Sequence, residues 1–510
     1  MKIWRYEPYL TVAMIFLAMT VNLSTFFYRT VTTPAGKVFA GTQFYSDDYA
    51  VYVADIRQGQ EGRWIVEDKF TTEPHPASLI HEEYLLWGKL TGFLGIPPVL
   101  AYHLGRGVFG IIFLAMIYFF LLQIFPHPPA GEAGKNDSSL RIVSFLLICF
   151  SNGLPTLPWL TDLDATQRFT PVFHYLLGFI GMVGVFRGLL GKKSWLWLGI
   201  FGALAGFSLP SSLILIFSVL LIYSLFQPRT LVTVAFLIVV NLPFLLYYRS
   251  ILTVAPWSHI LAMESGNRGP FTFGQYILAI GPVAFLSPLA FFALRQRRQV
   301  ITFLFSWLAA SLLWSFWLAD IFKLNPTRFL QIPLYIPLSI LVTLGIARFV
   351  KKTWLLSVVS LILVAVGLLT SINSLKGQFQ MYADYSGLIY PEEYFVEAFD
   401  FLGQNTSSNE AVLALYQAGN LIPFMAGNTV YLGHLQETLN YGQKVSQANT
   451  FFSGGLNPSQ AKEFLKQNHL GLVFFGPQEK SAGGVDTIKK YPFLAPVFDN
   501  GQVTIFEVKL

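Results

Sequence analysis

The sequence predicts a polytopic α-helical membrane protein of about eleven transmembrane helices, followed by an extracytoplasmic α/β domain. Three observations predict it. Of the 510 residues, 54% are hydrophobic and 12% charged, half the roughly 25% charge of soluble domains, so one water-soluble core could not hold the apolar side chains. The apolar residues form long continuous runs, which selects helices over a barrel, the other structure that satisfies its backbone in lipid. After Thr370 the composition turns abruptly polar, and strand-like and helix-like runs alternate.

The first run, 9–28, follows the basic residues Lys2 and Arg5. It is long for a signal peptide and lacks an Ala-x-Ala-like exit, so it reads as an uncleaved helix with its N-terminus in the cytoplasm. A large outer loop, 29–97, comes next. Apolar runs recur at 98–125, 141–159, 172–190, 194–208, 211–227, 230–249, 275–294, 299–319, 329–349 and 353–374. Most are near the ~20 residues a span needs; the short pair 194–208 and 211–227 reads as a hairpin turning at Ser208, Leu209 and Pro210.

Basic residues settle the orientation. Lys135 with Arg141, Arg187 with Lys192 and Lys193, Arg229, Arg295 with Arg297 and Arg298, and Arg348 with Lys351 and Lys352 all fall in alternate loops. The positive-inside rule puts those loops in the cytoplasm. The net charge of +6 is therefore a topology signal and not a nucleic-acid footprint. The transmembrane domain is 1–375 and the soluble domain 376–510, with strands expected at 411–416, 429–433, 472–476 and 502–508, and helices at 391–404, 440–452 and 458–468. Cys149, the single cysteine, lies in an apolar run and reads as a small buried hydrophobe.

The chemistry-bearing residues gather in the outer loops. Asp47 and Asp48 head a stretch in which Tyr45, Tyr49, Tyr52, Val53 and Ile56 recur at helical spacing, the pattern of a helix lying along a membrane surface. Adjacent residues on a helix point about 100° apart. One carboxylate can serve as general base while its neighbour binds acceptor, water or a divalent cation. The same loop holds Glu73-Pro74-His75-Pro76, with His75 kept extended by the following proline, and then His81. A second outer loop carries Asp162, Asp164 and Arg168, so acids from two loops on one face suggest a shared cleft. The loop 250–274 places Trp257 and Phe271 as interfacial anchors, beside His259, Glu264 and Arg268.

An acidic pair opening the first outer loop, a Pro-His-Pro element, a second acidic outer loop and a trailing soluble domain resemble the GT-C glycosyltransferase superfamily. That group includes protein O-mannosyltransferases and the lipid A aminoarabinose transferase. Here the pair is Asp47-Asp48 where those relatives carry Asp-Glu. The chain is most similar to uncharacterised bacterial members, in Glu73–Pro76, in Thr327–Phe329, and in Gly433-His434 with Glu437-Thr438. The resemblance implies hexosyl or pentosyl transfer from a polyprenyl-phosphate sugar to a lipid, glycan or protein acceptor, outside an inner or plasma membrane. It makes Asp47 the base and Asp48 its support, and matches Arg328 to the Arg–aromatic entry of relatives; a guanidinium pairs phosphate in a bidentate manner, so Arg328 is the first candidate for the donor phosphate, with Arg168, Arg63 and Lys323 as weaker ones. Glu73, His75, Asp162 and Asp164 are the remaining substrate-binding candidates. His434 and Glu437 stay outside the catalytic set, as residues ordering a loop.

A transporter or flippase of lipid-linked sugars is the alternative. Transporters bury ionisable groups at mid-membrane and show repeated halves, whereas the acids here cluster in loops and no repeat is found. Reporter fusions at Asn136 and Lys193 should read cytoplasmic, and one at Gln404 external; a cytoplasmic signal at Gln404 would break this topology.

Overall fold

The structure, a computed structural model, describes residues 6–42, 45–126, 137–154, 156, 163–266, 271–295, 297–329, 332–350, 352–380 and 387–509. Lys2, Arg5, Lys135, Asn136, Asp162, Arg268 and Lys351 lie outside the described residues. In chain order the helices are α1 (Glu7–Val31), α2 (Ser46–Gln60), α3 (Glu82–Phe93), α4 (Pro98–Ile124), α5 (Asp137–Phe150), α6 (Phe173–Leu190), α7 (Trp195–Ser208), α8 (Pro210–Ser224), α9 (Thr230–Ile251) and α10 (Trp257–Gly266). There follow α11 (Phe273–Ile280), α12 (Pro282–Ala293), α13 (Arg298–Phe322), α14 (Tyr335–Phe349) and α15 (Thr353–Gln380). The last five are α16 (Glu393–Asn405), α17 (Tyr416–Met425), α18 (Tyr441–Phe452), α19 (Pro458–Gln467) and α20 (Pro477–Gly483).

Every expected apolar run overlaps a helix, although the run 141–159 is helical only as far as Phe150 among the described residues, and the helices are not eleven equal spans. Among the described residues, six are long and apolar enough to cross a membrane, namely α1, α4, α6, α9, α13 and α15. The pair α11 and α12 bends by 101° and makes a seventh only if it is one broken span. The bend falls at Gly281, with φ of 83°, followed by Pro282 as the first residue of α12, a glycine–proline pair that ends one helix and starts another. Helices α5 and α7 have 14 residues each, and α8 and α14 have 15, short of the ~20 a span needs. The break between α7 and α8 sits at Leu209, with Pro210 opening α8.

The chain divides into two compact units. The first comprises Met1–Thr25, Gly105–Tyr248 and Glu264–Gln380. Within it Asn22 on α1 donates to the Ala165 carbonyl at 2.9 Å and accepts from the Phe169 amide at 2.7 Å. Buried Arg141 on α5 holds Glu7 Oε2 at 2.8 Å, and Tyr118 on α4 donates to Glu7 Oε1 at 2.8 Å. A buried ion pair is worth having only when its lone pairs are satisfied in this way. Helices α6 and α7 approach closely through glycine: a Cβ on Gly181 would lie 2.6 Å from the Ala205 nitrogen.

The second unit comprises Phe26–Leu104, Arg249–Met263 and Met381–Leu510. Its sheet has the order β1 (Ala411–Leu413), β2 (Leu470–Phe475), β4 (Thr504–Val508), β3 (Leu494–Asp499). Strands β1 and β2 are parallel, and β4 is antiparallel to both β2 and β3. Leu413, Phe451, Phe452, Val473, Phe475 and Tyr491 are central to its hydrophobic core. Two expectations are corrected. The run 429–433 makes only an isolated bridge, Val430 to Val412, and β3 is an additional strand, whose Pro496 masks the strand pattern in the sequence.

The described residues of the loop 29–97 belong to the same unit as the C-terminal ones. Val38 and Ala40 donate to the carbonyls of Pro391 and Ile389, each at 2.9 Å, and Val430 donates to that of Lys69 at 2.9 Å. Helix α2 is consequently no surface helix: Tyr49, Val53, Ala54, Ile56 and Gly59 are all buried. It packs on α3 with almost no space between backbones. A Cβ on Gly59 would stand 2.0 Å from the Leu85 oxygen, and one on Gly88 2.0 Å from the Ile56 oxygen. Gly88→Ala must force the two helices apart, so overpacking should cost at least about 1–3 kcal/mol. The measurement is thermal melting of the purified variant; a melting temperature equal to wild type would contradict the close approach.

Candidate active site

Helix α2 begins at the acidic pair. Its cap, Tyr45, has φ of 50° and ψ of 60°, the left-handed region, which a side-chain-bearing residue occupies at a cost of about 1–2 kcal/mol. Carboxylates in a first helical turn are favoured by the helix dipole, and each of these two also has its own donor. The Tyr416 hydroxyl, at the start of α17, donates to Asp47 and lies 2.8 and 2.9 Å from its two oxygens. His434 Nε2 lies 3.3 Å from Asp48 Oδ1. The His434 ring is buried, whereas the Asp48 side chain is 43% exposed.

The His434 tautomer follows from its other nitrogen. Nδ1 accepts from the backbone amides of Gln436 at 3.1 Å and Glu437 at 3.2 Å. In the neutral ring the proton is therefore on Nε2, aimed at Asp48. Burial opposes charging of this ring, but the bond to Asp48 and the nearby Glu437 and Asp47 carboxylates outweigh it and hold the His434 pKa above the ordinary imidazole value.

Behind the pair lies a buried acidic layer. Asp55, on the buried side of α2, faces His81 Nδ1 at 3.4 Å. Burial, only partly offset by His81, pushes the Asp55 carboxyl up to about 6. Asp68 is pushed well above the usual carboxylate range by burial and by Glu437, although the Phe70 amide donates to its Oδ1 at 2.7 Å. Tyr52 stacks on Tyr84 with ring centroids 4.7 Å apart, closing the α2–α3 side of this layer.

The Glu73–Pro76 element is a clamp. His75 Nε2 accepts from the Asp68 amide at 3.2 Å, so Nδ1 carries the proton and donates to the Glu73 carbonyl at 2.8 Å. Glu73 is held by Thr71 and, at 2.6 Å, by the buried Lys444 ammonium. Burial raises the Glu73 pKa, but Lys444 and Thr71 reverse the shift and hold it below the ordinary value. Trp257, expected at the membrane interface, is buried instead and donates to the Pro76 carbonyl at 2.9 Å.

The other candidates lie in the first unit. Asp164 Oδ1 accepts from Asn152 Nδ2 at 3.1 Å and from the Thr166 amide and hydroxyl at 2.8 and 2.9 Å, which shapes its loop as an Asx turn. Arg168 is fully buried; it donates to the carbonyls of Ile148, Ser151 and Leu163, and its guanidinium stacks 3.5 Å from the Tyr335 ring centroid. Arg328 is half-buried, 5.1 Å from the Tyr175 ring centroid. Among the described residues no three His, Cys, Asp or Glu side chains converge on a position for one metal ion.

Sequence reasoning locates the acidic pair but not its partners. It assigns His434 only to loop ordering, and Tyr416 carries no signal. The short segment Gly433-His434 with Glu437-Thr438 is the one available clue, and each of its polar residues has a role. Thr438 Oγ1 receives the Gly433 amide at 3.1 Å and donates to the Phe70 carbonyl at 2.9 Å, fixing the turn that aims His434.

The sequence matches no protein-family description and no curated protein. The structure does find relatives. ArnT from Cupriavidus metallidurans, bound to undecaprenyl phosphate, superposes with a TM-score of 0.56 at 12% identity, covering 97% of this chain and 97% of that one. The oligosaccharyltransferase of Archaeoglobus fulgidus, in its apo form, superposes with a TM-score of 0.54 at 12% identity, covering 96% of this chain and 73% of that one. The chain thus has the GT-C fold of these membrane glycosyltransferases. Its apolar helices, six of them among the described residues long enough to cross a membrane, are those of an integral membrane protein.

The buried acids make a pH prediction. Burial, only partly opposed by His81, lifts the Glu83 carboxyl from its ordinary 4.5 to about 7. Its folded pKa is raised, so its contribution to stability is full below about 4.5 and is lost as pH rises through about 7. Glu83→Gln has no charge to bury. It should melt with wild type near pH 4 and be more stable by about 3 kcal/mol near pH 8. Parallel melting curves at both pH values check this; a variant no more stable than wild type near pH 8 would contradict it.

Proposed function

We propose that the chain is a glycosyltransferase acting at the outer face of a cell membrane, with its N-terminus cytoplasmic and its C-terminal domain 376–510 outside. It moves a hexosyl or pentosyl group from a polyprenyl-phosphate donor to a hydroxyl of a lipid, glycan or protein acceptor. The observation that carries this reading is the acidic pair Asp47-Asp48, each carboxylate held by a side-chain donor and one of them 43% exposed, within a fold shared with a transferase that binds undecaprenyl phosphate.

The chemistry such a pair supports is a single displacement. The acceptor oxygen attacks the anomeric carbon, the sugar–phosphate bond breaks with its electron pair leaving on phosphate, and the acceptor proton passes to a carboxylate. One acid of the pair is base and the other its support. The phosphate needs a fixed cation as it departs, and Arg328 is our candidate for it. Glu73, His75, Asp162, Asp164 and Arg168 complete the proposed substrate-binding set: the first two act through the clamped loop 61–81, the others through the loop 151–171.

The test uses purified full-length protein with undecaprenyl-phosphate-linked mannose, glucose, galactose and arabinose, each labelled in the sugar. Wild type should release label from at least one of them, to water or to an added acceptor. The double variant Asp47→Asn with Asp48→Asn should be slower by roughly 10²–10⁴, the worth of general-base catalysis, with its melting temperature little changed. Equal release by wild type and the double variant would remove the pair from the mechanism.

A further inference from the structure

Asp47 and Asp48 are adjacent but not equivalent. The Tyr416 hydroxyl stands 2.8 and 2.9 Å from the two oxygens of Asp47, so the phenol proton is shared across both oxygens and competes there with any acceptor hydroxyl. Among the described residues Asp48 receives its bond from His434 on Oδ1, and its side chain is 43% exposed. The His434 ring cannot turn away, because two backbone amides, of Gln436 and Glu437, hold its Nδ1 at 3.1 and 3.2 Å. The Thr438 hydroxyl ties the same turn to the Gly433 amide and the Phe70 carbonyl.

We infer that Asp48, not Asp47, takes the acceptor's proton, that His434 is its positioning residue, and that the Tyr416–Asp47 bond holds the head of α2 in place. This rests on the transfer reaction proposed above and reverses the order that the resemblance implies for the pair. As the acceptor oxygen bonds to the anomeric carbon, the bond from that carbon to the phosphate oxygen breaks and its electron pair leaves with the phosphate. The acceptor proton goes to Asp48 Oδ2 and from there to solvent. The proton on His434 Nε2 stays where it is throughout, so the imidazole fixes which oxygen of Asp48 is presented and exchanges nothing with substrate. A base misplaced by one rotamer loses the near-attack geometry on which proton transfer depends.

The experiment uses the full chain and whichever of the four undecaprenyl-phosphate-linked sugars wild type consumes. Asp48→Asn should lower kcat by roughly 10²–10⁴, and Asp47→Asn and Tyr416→Phe should lower it by clearly less. His434→Phe should lower kcat by about tenfold or more with KM for the lipid donor unchanged, as expected for an interaction needed in the transition state. His434→Gln, whose amide N–H can still donate to Asp48, should recover some of that loss. Melting is followed for every variant, and His434→Asn, too short to reach Asp48, replaces His434→Phe if the latter does not fold. A larger loss for Asp47→Asn than for Asp48→Asn would overturn the assignment while leaving the transferase reading intact. Equal kcat for His434→Gln and His434→Phe would likewise overturn the role of His434. Wild type inert towards all four donors would overturn both.

Discussion

Two hydrogen bonds at the head of α2, Tyr416 to Asp47 and His434 to Asp48, are what the rest of the second unit is built to maintain. Adjacent like charges repel, and each needs a donor of its own if neither is to be left to solvent alone. The helix is then fixed along its length. Tyr49 donates to the Ala40 carbonyl at 2.9 Å, Arg57 to that of Met425 at 2.9 Å, and Gly59 meets α3 backbone to backbone. A helix held at its start, middle and end cannot shift register. The direction in which its first-turn carboxylates point is therefore set by packing well behind them.

The buried acids Asp55, Asp68 and Glu83 serve that arrangement at some cost. Their carboxyls are raised by burial, so some of this layer stays protonated where ordinary carboxylates are charged. Lys444 and Glu73, by contrast, remain a charged pair, closed by Thr71 and by the Tyr431 ring 4.7 Å from the ammonium. The Pro-His-Pro element thus reads as the brace of the loop that carries α2 to the C-terminal strands.

What the sequence makes legible is what is local. Apolar runs declare helices, so each expected run overlaps at least one helix, and Asp47-Asp48 stand out as acids at the edge of an apolar chain. Lengths are less legible: the break at Leu209 and Pro210 that separates α7 from α8 is read from the sequence, but hydropathy does not register where Gly281 and Pro282 bend a helix. The pairing of the acids with their partners is not legible, although the segment Gly433-His434 with Glu437-Thr438 marks one of the residues. Tyr416 is 369 residues from Asp47, and His434 is 386 from Asp48, and no periodicity or spacing rule spans such a separation. Trp257 misleads for the same reason: an aromatic residue in an outer loop suggests a membrane anchor, while its bond to Pro76 is a tertiary fact.

The central claim is that a carboxylate of this pair acts as a base and forms no bond to the sugar. The configuration of the transferred sugar tests that most directly. A single displacement inverts the anomeric centre, whereas a nucleophilic carboxylate would form a glycosyl–enzyme intermediate and return the original configuration. NMR of the first-formed product, recorded before mutarotation, distinguishes the two. The account predicts the inverted anomer; a product with the donor's own configuration would contradict it.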